Sequence, residues 1–255
     1  MSDTATRPGW AQDEADLSDK TVLVVGGSGG VGEGVVRALL ASGATVVAVG
    51  RSQARLDDLS QRVADARLVT QTLDALDPGL DEHAKQLADR FGPFDGVVVS
   101  VASWGGSGRK AALTLTDEEW EDLIASNLTA VFRLYRAFFP HIARSGMMLQ
   151  LNGMSADIPL PGSAGVAVAA AGRKSLTRTI AAEVGVQGPR VYQLVLGMIR
   201  TRPRQLAGID DPGWIPASDV GLHVADLVAG TSRLSHYDLH YFVDAAIGPQ
   251  RAAER

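Results

Sequence analysis

The segment Val25-Gly26-Gly27-Ser28-Gly29-Gly30-Val31-Gly32 has the composition and spacing that most directly imply chemistry. Glycine tolerates positive φ and leaves the main chain bare, so a phosphate can come close to the backbone N–H groups. Where such a turn opens a helix, the first N–H groups lack intrahelical partners and sit at the positive end of the helix dipole. That combination holds an anion without needing a cationic side chain. The β-rich run Thr21–Val25 enters the segment, and Val31, Val35, Ala38 and Leu39 follow at helical spacing. Strand, glycine turn and helix in this order form the context that a dinucleotide-binding motif requires. The expected contacts are Gly26, Ser28, Gly29, Gly30, Val31 and Gly32.

The end of the second strand discriminates between dinucleotides. A carboxylate roughly 20 positions beyond the glycines bonds the ribose hydroxyls of NAD(H), whereas an arginine there accommodates the 2′-phosphate of NADP(H). Here Gly50-Arg51-Ser52 stands at that place and offers no carboxylate. Arg51 and Ser52 therefore favour NADP(H) over NAD(H), the alternative being a solvated loop cation.

These residues need a scaffold, and the chain's patterning supplies one. The chain has 255 residues, 45% of them hydrophobic and 21% charged, which is ordinary for a globular domain with a full core. A net charge of −5 argues against a broad grip on nucleic acid, and the absence of cysteine excludes disulfides, thiolate catalysis and cysteine-ligated metals. No apolar run is long enough to span a membrane, and the polar, acidic N-terminus does not read as a secretory signal, so a cytoplasmic protein is expected. Residues 1–18 read as a flexible N-terminal arm and 19–255 as one domain.

Apolar strands at 45–49, 67–70, 97–101, 147–151, 191–196 and 239–243 follow the first and alternate with helical patterns. Thr116-Asp117-Glu118-Glu119 is a capping box that opens a helical region expected to run to about Arg144. Helices are also expected over 164–184 and 220–229. The expected fold is α/β: a Rossmann-type, doubly wound parallel sheet of about seven strands with helices on both faces.

At this point the sequence resembles the single-domain short-chain dehydrogenase/reductase family over residues 20–248. Val25-Gly26-(x)3-Gly30-Val31-Gly32 is similar to the family's TGxxxGxG, with Val25 in place of Thr. The resemblance places Asp74, with Ala75, against an adenine. It sets Ser100-Val101-Ala102-Ser103 in the place of NNAG, and Asn127 in that of the family's helix asparagine. Leu196-Gly197-Met198-Ile199-Arg200-Thr201 resembles the PGxxxT segment, which implies cofactor contacts from Gly197, Ile199 and Thr201, alongside Ala102 and Ser103. Val243-Asp244-Ala245-Ala246 resembles the terminal VDGG.

The family's chemistry uses a serine, a tyrosine on the next helix and a lysine one turn after it. A tyrosine hydroxyl has an ordinary pKa of about 10, and a cation one turn away stabilises its phenolate. In this chain Gly153 takes the serine position, Val166 the tyrosine position and Ala170 the lysine position. A shifted register does not restore the pair: four residues after Tyr135, Tyr192, Tyr237 and Tyr241 stand Phe139, Leu196, Tyr241 and Ala245. Of the catalytic set, Asn127 alone remains.

Ser155 and Asp157 read as loop turn residues, or alternatively as a substitute hydroxyl and carboxylate. Lys174 reads as a solvated helix lysine that could instead reach the cofactor. Trp104, Gly153, Met154, Val166 and Met198 are expected around a substrate pocket, Trp104 with core packing as its alternative. His236 and His240 do not read as a metal site, and no metal is expected. Three functions stay open: a silent family member acting by association, a reductase of an activated small molecule without the usual proton relay, or a non-redox isomerase or cyclase. The resemblance further implies a homodimer or homotetramer, or a hetero-oligomer with an active paralogue.

Overall fold

A computed structural model describes residues 7–11, 15–106 and 108–251. In chain order the elements are β1 (Thr21–Val25), α1 (Gly30–Ala41), β2 (Thr45–Gly50), α2 (Gln53–Val63), β3 (Leu68–Thr72), α3 (Leu80–Phe91), β4 (Phe94–Val99), α4 (Asp117–Ile124), α5 (Ala130–Phe138), β5 (Ile142–Gly153), α6 (Ala164–Val184), β6 (Arg190–Leu196), β7 (Ile199–Arg200), α7 (Arg202–Leu206), β8 (Ile215–Pro216), α8 (Ala217–Ala229), β9 (Leu239–Phe242) and β10 (Gln250–Arg251). The main sheet runs β3-β2-β1-β4-β5-β6-β9-β10. Seven of its strands are parallel, and β10 pairs antiparallel with β9 at the edge. This is the Rossmann-type architecture expected from the patterning. β7 and β8 form a separate two-stranded piece.

Alternation along the apolar strands sends residues to two cores. Val22, Val24, Val46 and Ala48 pack with Val35, Leu39, Val220 and Val224 of α1 and α8 on one face. Leu23, Val25, Val47 and Val49 pack with Leu80, Leu87, Leu134 and Phe138 of α3 and α5 on the other. Because the chain crosses from β1 to β2 in one direction and from β3 back to β4 in the other, a crevice opens at the carboxyl ends of β1 and β4. Both glycine turn and loop 100–106 sit at that end.

Two expectations are corrected. The helical region expected up to Arg144 ends earlier. α4 passes through a π-helical turn at Ala125–Thr129 into α5, a 3₁₀ turn at Phe139–His141 follows, and β5 already begins at Ile142, paired with Phe94. Pro140 cannot extend the helical hydrogen bonding. The described part of the supposed arm is also docked on the domain. Trp10 packs edge-to-face on Phe242, with ring centroids 5.2 Å apart, and its Nε1 donates to the Ala245 carbonyl. Ala15 and Leu17 are buried, and the Leu17 N–H bonds Ser42 O at 2.7 Å. Apolar side chains near the start of the chain close one end of the first core; residues 1–6 and 12–14 lie outside the described residues. Among the described residues, no helix is long and apolar enough to cross a membrane.

Candidate active site

The glycine turn is built by close backbone approach. Gly26 has φ +81°, and a Cβ there would stand 2.2 Å from the Ser100 carbonyl oxygen. A Cβ on Gly32 would meet the Gly26 carbonyl at 2.1 Å. Thr201 is buried against Gly30, so the segment after β6 is brought onto the start of α1.

In front of this turn lies a cavity of about 670 Å³. Its walls include Gly26, Ser28, Gly29, Gly30, Val31, Arg51, Ser52, Asp74, Ala75, Ala102 and Ser103, all anticipated from the sequence, together with Arg55, Leu76, Ser126 and Ala130. Gly32, Gly197 and Ile199 do not line it. Gly32 is consumed by the turn itself, the Gly197 N–H bonds the Phe242 carbonyl at 2.8 Å, and Ile199 is buried in the β7–β8 piece. Ser52 caps α2, accepting from the Arg55 N–H. Asp74 accepts from the Leu76 N–H at 2.9 Å. Arg55 was not anticipated. It lies four residues after Arg51, and its guanidinium donates to Ser28 O at 3.0 Å, so two arginines line the cavity beside β2.

Asn127 sits in the π-helical turn and is fully buried. Its Oδ1 accepts from the Ser103 N–H, and its Nδ2 donates to the Ser103 and Leu123 carbonyls, each at 2.9 Å. It is a bracket that fixes the loop after β4, with both N–H groups committed, and presents no free donor to the cavity. Its side chain thereby positions this loop.

The remaining expected pocket residues are not on this cavity's wall. Gly153 ends β5 with space beside it: an added Cβ would meet just Ser155 Oγ, at 3.8 Å. Val166 and Ala170 are buried on α6, where Gly165, Val166, Ala169, Ala170, Arg173 and Thr177 form one inward stripe. Met154 and Ser155 lie half-buried in a 3₁₀ turn after β5. Met198 and Trp104 are exposed, and Trp104 is stacked under Arg109 rather than packed in the core.

Residues 20–209 match the short-chain dehydrogenase family. The chain belongs to that family. Curated relatives include an uncharacterized oxidoreductase of Staphylococcus epidermidis, 27% identical over 73% of this chain and 81% of its own length. A 3-oxoacyl-[acyl-carrier-protein] reductase of Vibrio cholerae is 28% identical over 73% of this chain and 76% of its own. Among solved structures, the NADPH-bound short-chain oxidoreductase of Pseudomonas aeruginosa with an atypical catalytic center superposes with a TM-score of 0.77 at 25% identity, covering 94% of this chain and all of that one. The chain is thus an oxidoreductase of the short-chain dehydrogenase type.

Beneath the family's proton-relay positions, the structure holds two polar groupings that local spacing does not show. The first centres on Arg173, which is 2% exposed. It donates through Nη1 to Val101 O at 2.8 Å and through Nη2 to Asn152 Oδ1 at 3.0 Å; its Nε has no partner. Asn152 in turn donates to the Ala170 carbonyl at 2.8 Å. Burial pulls the Arg173 pKa down to about 10, still far above neutrality. The neighbouring Tyr135 hydroxyl, hydrogen-bonded to Thr177 at 2.9 Å, is pushed up from its ordinary value by burial. It stays a neutral phenol.

The second grouping joins Lys174, Asp157 and Tyr241. Lys174 Nζ donates to Asp157 Oδ1 and to the Tyr241 hydroxyl, the latter at 2.6 Å, and that hydroxyl donates to Asp157 Oδ2 at 3.0 Å. Burial opposes the lysine's charge, but the carboxylate and phenol outweigh it and raise its pKa. Lys174 is therefore no solvated helix cation, and Asp157 no simple turn residue. They tie α6 and the loop after β5 to β9, away from the cavity wall. His240, in β9, contacts His223 at 3.1 Å and the Leu234 and Tyr237 carbonyls, with no part for His236.

Proposed function

We propose that this protein is an NADP(H)-dependent oxidoreductase that reduces an activated small molecule without the Ser-Tyr-Lys relay of its family. The observation that carries the reading is the pair Arg51 and Arg55 on the cavity wall beside β2. Among the described residues Arg51 has no hydrogen bond or ion pair of its own, so it is available to a 2′-phosphate. A guanidinium meets phosphate with two parallel, charge-assisted hydrogen bonds. The glycine turn fits a pyrophosphate: Gly26, Ser28, Gly29, Gly30 and Val31 line the cavity, and the first N–H groups of α1, which begins at Gly30, have no side-chain cap. The Pseudomonas relative was solved with NADPH, which supports the same nucleotide here.

Bound NADPH would supply a hydride. The chain's contribution is to orient and to exclude water. Asn127 holds the Ser103 backbone in place, and Thr201 packs the β6–β7 segment onto the glycine turn. Gly153, Val166 and Ala170 carry no acid or base. An acceptor that needs no simultaneous proton suits them, such as an iminium carbon: hydride forms the new C–H bond and the C=N π pair returns to nitrogen. Losing a positioned acid–base usually costs 10²- to 10⁴-fold, which disfavours simple ketones.

The test is thermal unfolding with added NADPH, NADP⁺, NADH and NAD⁺. Ligands that bind the folded state raise its stability by mass action. The phosphorylated pair is expected to give the larger shifts, and Arg51→Ala to remove the difference. Equal shifts for all four would sink the NADP(H) assignment. Brisk reduction of an unactivated ketone by the purified protein would sink the relay-free mechanism.

A further inference from the structure

Arg173 is a buried charge for which the relay-free reduction has no use. Its Nη1 lies 2.8 Å from the carbonyl oxygen of Val101, a residue on the wall of the cavity in front of the glycine turn. Its Nη2 lies 3.0 Å from Asn152 Oδ1, and the same oxygen accepts from the Gly153 N–H at 3.0 Å. Asn152 Nδ2 donates to the Ala170 carbonyl at 2.8 Å. One guanidinium is thus bonded to the cavity wall and, through Asn152, to the backbone at two of the three vacated relay positions.

This charge is unbalanced. Lys174, the next residue, is paired with Asp157, but among the described residues no carboxylate lies within ion-pair distance of Arg173. Its Nε has no partner, and the oxygens it bonds belong to a peptide and an amide, both neutral. Burial lowers its pKa to about 10, so the side chain stays cationic at neutral pH. Keeping an unpaired charge away from water is costly, and a neutral amide donor would serve the same hydrogen bonds more cheaply. An ionisable group in that condition against a cavity is a candidate functional group.

The strand order sets which part of the cavity feels it. Arg51 and Arg55 stand beside β2, and the glycine turn follows β1. Val101 and Asn152 stand at the carboxyl ends of β4 and β5, on the other side of β1. With the phosphates held on the β2–β1 side, the β4–β5 side is left to the nicotinamide. The oxidised ring carries one positive charge, and gain of a hydride, one proton with two electrons, removes it. A fixed cation behind the wall repels the first form and not the second.

We propose that the unpaired charge of Arg173, acting through the Val101 wall, makes the cavity prefer NADPH to NADP⁺, so that the reduced form loads from a mixed pool. The inference rests on the reading of the cavity as the nucleotide site, and adds the redox form that this site is built to hold.

Calorimetric titration of the full-length protein with NADPH and with NADP⁺, at low and at high salt, tests it. The wild type is expected to bind NADPH roughly tenfold tighter than NADP⁺. The ratio should persist at high salt while both affinities fall, because a buried charge is screened far less than the exposed Arg51 and Arg55. Arg173→Gln, which keeps a donor and loses the charge, is expected to cut the ratio to about threefold or less, and Arg173→Lys, which keeps the charge, to preserve it. A purely structural Arg173 would weaken both forms by one factor in Arg173→Gln and leave the ratio alone; that result overturns the inference. A wild-type ratio near one, or a ratio that vanishes at high salt, overturns it without any variant, so failure of Arg173→Gln to fold gives it no shelter. If both forms bind alike, the role of Arg173 alone falls. If neither binds, the cofactor reading falls and takes this inference with it.

Discussion

The two halves of this site are built on opposite principles. Around the glycine turn the chain leaves groups unmet: backbone N–H groups at the start of α1, the Arg51 guanidinium, and an open cavity faced by small residues. Around the relay positions the chain closes on itself. Val166 and Ala170 are buried, and Asn127, Asn152 and Arg173 spend their hydrogen bonds on neighbouring carbonyls and on one another. An unmet donor beside open space is a binding device. A donor committed to a backbone carbonyl holds strand ends in register, because leaving a buried polar group without its partner costs about 1–3 kcal/mol. The first half leaves donors beside open space, and the second commits them to its own backbone.

The largest effect is expected on the closed half. Arg173→Met would take the Arg173 donor from the Val101 carbonyl and leave Asn152 Oδ1 with the Gly153 N–H alone, costing about 3 kcal/mol. Urea denaturation would read it, and a loss below about 1 kcal/mol would break the view of Arg173 as structural.

A second closed pair adds a pH signature. Burial, then the neighbouring positive charge of His240 and Arg233, lowers the His223 pKa from 6.5 to about 3. The unfolded chain therefore binds more protons between these values, and stability is full above about pH 6.5 and falls as pH drops toward 3. Denaturation at about pH 6.5 and 4.5 should differ by about 2 kcal/mol from this group, and His223→Gln should flatten that part of the slope.

On the open half, Gly26→Ala would force a Cβ into the Ser100 carbonyl at positive φ. About 2 kcal/mol of stability should go, and with it any shift induced by NADPH, as differential scanning fluorimetry would show. An unchanged shift would mean that the turn is not the phosphate site. Arg51→Ala should weaken NADPH roughly tenfold and leave NADH unaffected, by equilibrium fluorescence titration. The smallest effect is expected from Lys174→Met. It should cost about 1 kcal/mol, because its salt bridge and phenol contact are still partly open to solvent, and should leave nucleotide binding alone. A lost nucleotide response would move Lys174 and Tyr241 into the functional site.

What could be read from the residues tracks how local each signal is. Thr21–Val25, the glycines and the α1 periodicity are adjacent in the chain, so the cradle followed from spacing. α6 was legible end to end because Ala164 to Val184 is rich in alanine and free of proline, which outweighs Gly165 and Gly172. The end of α5 was misjudged because Ile142–Gly146 can satisfy either period, and pairing of Ile142 with Phe94 decided it. The arm was misjudged because the partners of Trp10, Phe242 and Ala245, lie at the far end of the chain.

By itself the sequence determined the alternating β-α fold, the glycine turn between β1 and α1, the arginine after β2 and the absence of any tyrosine followed by lysine one turn on. Each is a property of neighbouring residues, governed by backbone sterics and helical or strand period. The tertiary structure alone decided that Arg173 reaches the ends of β4 and β5, and that Lys174 finds Tyr241 67 positions away. Long polar side chains take their partners from whatever the packing of distant elements brings within hydrogen-bond reach, and no local pattern encodes that.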